Sequence, residues 1–478
     1  MTPTFRRALG CLLVLLAGCA ADTDEGDAES SNEAVTSGDR RDPATAKADR
    51  TPGSGEVWSR KITIHVSDAD NAAWASIDNG NPGDEVWLDR SYDGGTNWQG
   101  HVGKTTIPSG RRGWRTMMYS VDDLGQHRIG AMRACGKAGD RQEIACSPWF
   151  RTTTNANNRV DAAATALMGK YDFGKGLWEV GWWRSANALT TMLDYFEVTG
   201  STTYRYVIAN TFDRNKRDSF TNEFMDDTAW WALAWIRAYD LTHDKRYLDM
   251  ARHDADYIWS FKDQKCNGGI WWSNEKKYKN AITNELFVKV AASIYNRTND
   301  RTYLDRALDI YGWFEASGMV NGRLLINDGL TQDGTCKNNG GVAWSYNQGV
   351  ILGGLVELSR ATGDAKYLQR ARALADASTT NAPVTVNAIT HDVCEDQADP
   401  CPGDGSAFKG IYLRNLGELD HALSDHPYRA YITRQADTNY QKNRNSLDQY
   451  GVKWSGPAGP SDSSRQHSVL DIFVAAAR

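Results

Sequence analysis

The chain is organised around one stretch, Asn222-Glu223-Phe224-Met225-Asp226-Asp227-Thr228-Ala229-Trp230-Trp231-Ala232-Leu233-Ala234-Trp235. After its two adjacent aspartates it carries no charge and is apolar on every side of a helix, which is typical of a helix buried in a large helical fold. Asp226 and Asp227 stand at the helix start, where negative charge is favoured and aspartate is a common cap. One interpretation is therefore a capping pair. The other is a pair placed for chemistry, because an aromatic, nearly uncharged helix has little other use for two carboxylates.

A repeated helix–helix turn extends the helical pattern along the chain. The residues Thr242–Ala251 recur in similar form as Thr298–Ala307 and Thr362–Ala371, with looser copies at Thr199–Tyr204 and Ser424–Tyr428. In each copy Gly or Asn ends one helix, Asp or Ser caps the next, and a tyrosine packs back against the pair. The repeat unit is therefore one helical hairpin plus a variable loop.

The two helices of each hairpin differ in composition. Helices before the turn are strongly apolar, and those after it are amphipathic with charged outer faces, a contrast that inner and outer rings of helices would produce. We predict helices at 157–170, 184–199, 201–212, 224–242, 245–261, 280–298, 300–316, 341–362, 364–379, 407–423, 426–444 and 463–477. Alternating inner and outer roles predict an (α/α)6 barrel over residues 155–478. An open solenoid is the alternative.

Residues 55–152 change character and predict a small all-β module. Strand-like runs cover 61–66, 84–91, 115–121 and 127–134, with Gly and Asp between them. The segment Ser91–Trp98 resembles the Asp-box hairpin of secreted β proteins, except that Asn97 replaces the usual threonine. The sequence leaves two roles for this module, sugar binding and spacing the larger domain from an anchor.

The N-terminus predicts export. Arg6 and Arg7 precede the apolar run Ala8–Ala17, and Leu16-Ala17-Gly18-Cys19 closes it as a lipoprotein signal would. We therefore expect a signal peptide over 1–18, lipidation of Cys19 and a disordered tether over 19–54. An ordinary signal peptide with an incidental Cys19 is the alternative. The expected location is the cell surface or outer membrane through a lipid anchor, or the medium if secreted.

Cysteine usage and charge agree with export. Six cysteines remain in the mature chain, and an even number in an exported protein indicates disulfides. The predicted pairs are Cys135–Cys146, Cys394–Cys401 and, over a longer separation, Cys266–Cys336. Zinc is the alternative, but no CxxC or HxxxH spacing supports it. A net charge of −6 gives no basic surface for nucleic acid, so we expect none as a partner.

In such a barrel the long loops all precede inner helices, so they gather at one end around Asp226 and Asp227. Aromatic and polar residues near the same helix starts predict a cleft for a polysaccharide. The predicted substrate-binding residues are Trp182, Trp183, Trp231, Trp272, Asn284, Tyr346, Asn347 and Gln348. Barrel packing and helix capping are the alternative roles for these residues. Glu285 is a weaker candidate of the same kind. A calcium site in the acidic cluster between Asp392 and Asp404 is less favoured than a solvated loop.

Two motifs carry a family resemblance. The run Met225–Trp231 and the run Ala343–Gly349, together with the repeated turns, resemble glycoside hydrolase family 76 over residues 155–478. The resemblance implies an (α/α)6 barrel, endo-α-1,6-mannanase activity, and a retaining double displacement without metal or cofactor. It implies Asp226 as nucleophile and Asp227 as general acid/base. The β module lies outside the resemblance.

The chemistry of paired carboxyls is consistent with these implied roles. Retention needs two carboxyls about 5–5.5 Å apart, which neighbouring residues at a helix start can reach. One must stay protonated near neutral pH, and close like charges in a tryptophan-lined site raise one pKa. The sequence predicts a monomer that binds α-mannan. Transglycosylation and non-catalytic glycan capture are the alternative functions.

Overall fold

The computed structural model describes residues 38–139, 141–152 and 158–478. The predicted signal peptide, the predicted lipidation site Cys19 and the first part of the predicted tether lie outside the described residues. Residues 38–54, predicted as tether, are ordered: Arg41 pairs with Met118, and a strand begins at Arg50. The tether prediction is therefore wrong over this part. Within the part of the chain that is described, no helix has the length and apolarity needed to cross a membrane.

The β module is a sandwich of two antiparallel sheets. Its nine strands are β1 Arg50–Val57, β2 Arg60–Ser67, β3 Ala72–Asp78, β4 Glu85–Ser91, β5 Gln99–Thr106, β6 Trp114–Arg115, β7 Tyr119–Ser120, β8 Ala131–Lys137 and β9 Ile144–Cys146. The first sheet has the order β1-β2-β3, with β6 and β7 both pairing with β3, and the second has the order β5-β4-β8-β9. Alternate apolar residues of both sheets, such as Ile64 and Leu88, form the core between them.

The larger domain is built from twelve helices among the described residues. They are α1 Arg159–Met168, α2 Trp182–Thr199, α3 Tyr206–Asn215, α4 Met225–Thr242, α5 Lys245–Trp259, α6 Ala281–Thr298, α7 Arg301–Ala316, α8 Ser345–Thr362, α9 Lys366–Thr380, α10 Phe408–Ala422, α11 Arg429–Lys442 and α12 Ser463–Ala477. The even-numbered helices pack side by side in sequence, and α12 packs against α2. This contact closes the ring, so the predicted (α/α)6 barrel is confirmed and the open solenoid is excluded.

The repeated turn has the predicted capping chemistry, except that at the first copy His243 stands where Gly or Asn was expected. At its first copy His243 ends α4 in the left-handed conformation, and Asp244 accepts a hydrogen bond from the Arg246 N–H at the start of α5. Thr242 donates to the Ala238 carbonyl and accepts from the Asp244 N–H. The other two close copies repeat these bonds at Thr298–Thr302 and Thr362–Lys366. The sequence repeat is therefore a hydrogen-bonded cap motif that reverses the chain between inner and outer helices.

The sandwich packs directly on the barrel. Arg151 forms an ion pair of 2.6 Å with Asp448, and Ser446 donates to the Trp149 carbonyl. The ring of His127 packs against Phe173 with a centroid distance of 4.8 Å. All three predicted disulfides are present, Cys135–Cys146 in the sandwich and Cys266–Cys336 and Cys394–Cys401 in barrel loops.

Candidate active site

A cavity of about 560 Å³ lies at the end of the barrel where the inner helices begin, here called the upper cavity. The first turn of α4 places Asp226 and Asp227 in its wall. Its other lining residues are Val180, Gly181, Trp182, Trp183, Arg184, Phe224, Trp230, Trp272, Tyr278, Asn280, Asp328, Tyr346, Asp404 and Phe408. Carboxyls and aromatic rings therefore dominate this cavity, as expected for a site that binds sugar rings.

Asp226 is the more deeply buried of the two aspartates. Its Oδ2 accepts a hydrogen bond of 3.1 Å from the Trp272 indole N–H, and its Oδ1 has no protein partner. Burial raises the pKa of this carboxyl well above its ordinary value, and the charge of Asp227 raises it further. The Trp272 hydrogen bond therefore orients this carboxyl in the cavity wall.

Asp227 lies within reach of the charge of Asp404, which is exposed to solvent. Its Oδ2 accepts a hydrogen bond of 2.7 Å from the Asn222 side-chain amide. Burial raises the pKa of Asp227 to about 6, the Asn222 hydrogen bond opposes this, and the charges of Asp404 and Glu223 add to it. Both pKa values are raised, so a protonated and an ionised carboxyl can stand side by side at mildly acidic pH. One acid and one base are then present together, which glycoside hydrolysis requires.

Aromatic rings form the walls beside these carboxyls. Tyr346 stacks on Phe408 with a centroid distance of 3.9 Å. Trp183 lies between Phe408 and Trp230, and its indole N–H donates to Asp404 over 3.1 Å. The hydrogen bond to Asp404 and the flanking rings fix the orientation of Trp183, so the aromatic surface is formed before any ligand arrives.

Of the predicted substrate-binding residues, the structure places Trp182, Trp183, Trp272 and Tyr346 in the cavity wall. Trp231 is fully buried and packs against Trp182 with a centroid distance of 4.8 Å. It lies behind the wall, because each residue of a helix is rotated by about 100° from the one before it. The structure therefore corrects the expectation that Trp231 contacts a ligand.

Asn284 and Gln348 also lie behind the wall, where each fixes the loop before its helix. Asn284 accepts from the N–H of Ile270 and donates to its carbonyl, and Gln348 forms the same two bonds with Ile326. Both predictions of substrate contact are corrected by this arrangement. Asn347 is fully buried beside Asp328, so its predicted direct contact is corrected as well.

The bonds of Asn284 and Gln348 belong to a wider pattern. The fourth residue of five inner helices hydrogen-bonds the backbone of the loop that precedes it, and we call these the anchor residues. They are Ser185, Thr228, Asn284, Gln348 and Gln466. The second residue of α2, α4 and α8 instead lines the cavity, as Trp183, Asp226 and Tyr346. Position within the first turn therefore decides between a ligand-facing and a loop-anchoring role.

Several residues in the cavity lining or in contact with it were not predicted from the sequence. Asp328 accepts a hydrogen bond of 2.5 Å from the Tyr278 hydroxyl. Asn222 orients Asp227, and Asp404 follows the Cys394–Cys401 loop. All lie on the long loops before inner helices, which was the one signal available in the sequence.

The acidic cluster that suggested calcium has internal partners. Asp392 accepts from the backbone N–H and the hydroxyl of Ser345 at the start of α8, and Glu395 forms an ion pair of 2.7 Å with Lys409. These contacts tie the disulfide loop to α8 and α10. Two of its carboxylates therefore have a structural role.

A second cavity of about 470 Å³ lies at the opposite end of the barrel, and Trp230 lines both cavities. In this lower cavity acids pair with bases. Arg237 donates to Asp194 over 2.9 Å, and Lys289 donates to Glu418 over 2.6 Å. Burial alone would raise the pKa of Asp194, but Arg237 and Arg478 hold it well below its ordinary value.

Comparison with known proteins identifies relatives of this chain. The family model described as glycosyl hydrolase family 76 matches residues 153–477. Mannan endo-1,6-alpha-mannosidase DCW1 of Candida glabrata is 27% identical over 259 residues, which are 49% of this chain and 57% of that protein. Mannan endo-1,6-alpha-mannosidase DFG5 of Candida albicans is 26% identical over 66% of this chain and 78% of its own length. The chain thus spans less than two thirds of the DCW1 protein.

Among solved structures, the fold matches an alpha-1,6-mannanase of Salegentibacter with a TM-score of 0.61. The identity is 24%, and the match covers 67% of this chain and 98% of that one. That protein was crystallised with alpha-1,6-mannotetrose as an inactive variant in which two consecutive aspartates are replaced by alanine. At this identity the match shows a shared fold.

Proposed function

The chain belongs to glycosyl hydrolase family 76, and we propose that it hydrolyses internal α-1,6 linkages of mannan with retention of the anomeric configuration. One observation carries this proposal: two adjacent, partly buried carboxyls, which accept side-chain hydrogen bonds from the neutral donors Asn222 and Trp272, lie among aromatic rings. The named activity of the yeast relatives supports the linkage and the polymer. So does the mannan oligosaccharide bound by the Salegentibacter protein.

Asp226 is the proposed nucleophile, and its carboxylate attacks the anomeric carbon. Asp227 is the proposed general acid, protonating the leaving oxygen as the glycosidic bond breaks, and it then takes a proton from the water that hydrolyses the glycosyl–enzyme bond. A pKa of about 6 suits a group that must give and take a proton, and partial exposure gives Asp227 access to water. Burial raises the pKa of Asp226 more than that of Asp227, so the proposed roles require the bound sugar to shift the proton from Asp226 to Asp227.

Trp183, Tyr346 and Phe408 are proposed to hold sugar rings across the bond that is cleaved. Trp272 orients the nucleophile through its indole N–H while its ring packs against Phe224. No step of the proposed reaction requires a metal ion or a cofactor. The substrate is therefore bound by stacking and by hydrogen bonds to its hydroxyls.

Export is a separate proposal that depends on the sequence alone. The basic residues and apolar run before Cys19 support a lipid-anchored protein at the cell surface or outer membrane. The three disulfides are consistent with an oxidising compartment. A monomer is proposed for the exported protein.

The test is release of reducing ends from linear α-1,6-mannan by wild type, Asp226→Asn and Asp227→Asn. We expect both variants to lose activity by orders of magnitude. The matched control is Asp254→Asn, because burial also raises the pKa of Asp254 to about 7 while this residue lies on the outer helix α5. Loss of activity in the control alone, or in none of the three, would overturn the assignment.

Azide then distinguishes the two roles. It should restore turnover in only one variant. Rescue of Asp227→Asn that yields a glycosyl azide of retained configuration would identify Asp227 as the acid/base. Rescue of Asp226→Asn that yields an inverted glycosyl azide would identify Asp226 as the nucleophile. Adding excess mannose oligosaccharide as acceptor separates hydrolysis from transglycosylation. Products longer than the acceptor would show that a sugar hydroxyl replaces water.

A further inference from the structure

The β module carries a large groove that the barrel chemistry does not use. It has a volume of about 1110 Å³ and lies on the outer face of the first sheet, between the segment 42–49 and the strands β3 and β6. Inward residues of β2 and β3 form the sandwich core, so their outward neighbours His65, Trp74, Ser76 and Asp78 form the groove floor. The groove belongs to a different domain from the upper cavity.

A hydrogen-bonded row crosses this floor. Asp49 Oδ1 lies 2.9 Å from His65 Nδ1, and His65 Nε2 lies 3.0 Å from the Ser76 hydroxyl. The imidazole stacks on Trp74, with a centroid distance of 5.0 Å and an interplanar angle of 10°. The row is therefore held in one orientation and presents fixed donors and acceptors.

An acid, a histidine and a serine in this order also suggest a nucleophilic hydrolase, but the backbone argues against it. Ser76 lies within β3, paired with Thr63 of β2 on one side and Arg115 of β6 on the other. Strand N–H groups lie in the plane of the sheet, whereas the Ser76 hydroxyl points out of it. An oxyanion hole needs donors about 3 Å from the new oxyanion, and this strand does not direct backbone N–H groups there. The row is suited to binding.

The rest of the groove supplies an aromatic ring and balanced charges. Trp114 is half-buried at the groove wall, with the Arg111 guanidinium 5.0 Å from its ring centroid. Three lining acids are matched by three lining bases; these residues are Asp42, Asp49, Asp78, Lys104, Arg111 and Arg115. Such a lining does not select for a charged ligand, and it offers many hydrogen bonds to hydroxyl groups.

We propose that this groove binds an uncharged polysaccharide chain, independently of the barrel. Sugar rings lie against Trp114, and their hydroxyls bond to the Asp49–His65–Ser76 row and to Asp78. The identification of α-1,6-mannan as that polymer is a refinement that depends on the proposed function. Polymer binding outside the barrel would keep the enzyme on its substrate between cleavage events.

The test is affinity electrophoresis of the full chain through gels containing α-1,6-mannan, a neutral α-glucan or a neutral β-glucan. All proteins carry Asp226→Asn so that the polymer stays intact. We expect Trp114→Ala to reduce retardation at least fivefold in one of these gels. The matched control, Trp58→Ala, removes a 49% exposed tryptophan of the same module outside the groove and should change nothing. Because Trp114 also packs on the core, Asp78→Ala combined with Lys104→Ala provides a second test on exposed side chains.

Equal retardation of the Trp114 and Trp58 variants in every gel, or no retardation of the parent, would overturn the proposal. Labelling of Ser76 by a fluorophosphonate that is lost in His65→Ala would overturn it in favour of a hydrolase. Hydrolysis of soluble mannotetraose by Trp114→Ala with both aspartates intact should equal that of wild type. If the proposed function is wrong, wild type will not hydrolyse mannotetraose. This result does not depend on the retardation seen in the gels.

Discussion

The two ends of the barrel carry cavities of similar size and opposite electrostatic character. In the upper cavity, the carboxyls of Asp226 and Asp227 are held by neutral donors, and burial raises both pKa values. At the lower end, the buried Asp194 beside the cavity and Glu357 in its lining bond to arginines that lower their pKa values despite burial. The same helices thus bury acids in two ways, and only one leaves the acids able to exchange protons near neutral pH.

This difference separates a site for chemistry from a site for stability. An acid paired with arginine stays ionised over the whole functional pH range, so it cannot act as a general acid. An unpaired buried acid costs stability at neutral pH and is a candidate for chemistry where it lines a cavity, as Asp226 does; Asp254 has a raised pKa but lies on the outer helix α5. Substitutions at the two ends of the barrel test this division.

Replacement of Asp226 by asparagine should separate activity from stability. We expect turnover to fall on the order of 10³-fold or more, because the nucleophile is lost. Stability at pH 7 should rise. The pKa of Asp226 in the folded chain exceeds its ordinary value of about 4, so this group destabilises the fold as pH increases from about 4 through the folded pKa. Mannan hydrolysis and urea midpoints at pH 4 and pH 7 measure both effects. A variant less stable than wild type at pH 7 would contradict the argument.

The upper end should depend on a covalent link. The Cys266–Cys336 disulfide joins the loops before α6 and α8 across a separation of 70 residues. Replacing both cysteines by alanine should lower the free energy of unfolding by about 4 kcal/mol, because the unfolded chain gains loop entropy. Urea unfolding checks this value. The same replacement at Cys394 and Cys401, separated by 7 residues, is the control and should cost less.

The lower end should depend on ion pairs. Asp194→Asn removes a buried carboxylate from Arg237 and Arg478 and should cost about 3 kcal/mol of stability. Hydrolysis per folded molecule should stay at the wild-type level, since this residue lies at the other end of the barrel. Unfolding midpoints and initial rates below the transition provide the comparison with Asp226→Asn. A stable but inactive Asp194→Asn would break the division between the two ends.

The smallest effects should be opposite shifts in the pH profile. Removing the Asn222 hydrogen bond in Asn222→Ala takes away an interaction that lowers the pKa of Asp227. Activity should then persist to higher pH, because the general acid keeps its proton longer. Asp404→Asn removes a charge that raises the pKa of Asp227, while its side chain still accepts the hydrogen bond from Trp183. As pH rises, this variant should therefore lose activity at a lower pH than wild type does. The kcat/KM profile of each variant gives the direction, and shifts of the same sign would contradict the assignment of Asp227.

The barrel was predictable because its turns repeat a local chemical motif. Thr242, Asp244 and their counterparts determine where helices end and begin through bonds within a few residues. The sandwich was harder to predict. Strands β3 and β5 were missed because Ala72–Asp78 and Gln99–Thr106 are rich in alanine and glycine, which have low strand propensity. Their pairing partners, distant in sequence, determine their conformation.

The catalytic pair was predictable, and much of its surroundings was not. Asp226 and Asp227 stand out because they are adjacent acids in an apolar helix. Gln348 was grouped with Tyr346 as a ligand contact because they are close in sequence, whereas the helix directs them to different neighbours. Asp328 and Asp404 reach the cavity through irregular loops, and hydrophobic periodicity carries no information about the path of such a loop.

The anchor residues have a consequence for how this protein can change. Each holds the base of its loop by side-chain bonds to backbone atoms, so the loop can change its sequence there without losing the contact. Beyond the anchored bases the loops are free to lengthen or shorten, since added residues cost little loop entropy. The barrel end can therefore acquire new binding contacts loop by loop. Because the carboxyls belong to a helix, they would stay in place while the range of accepted sugars changes.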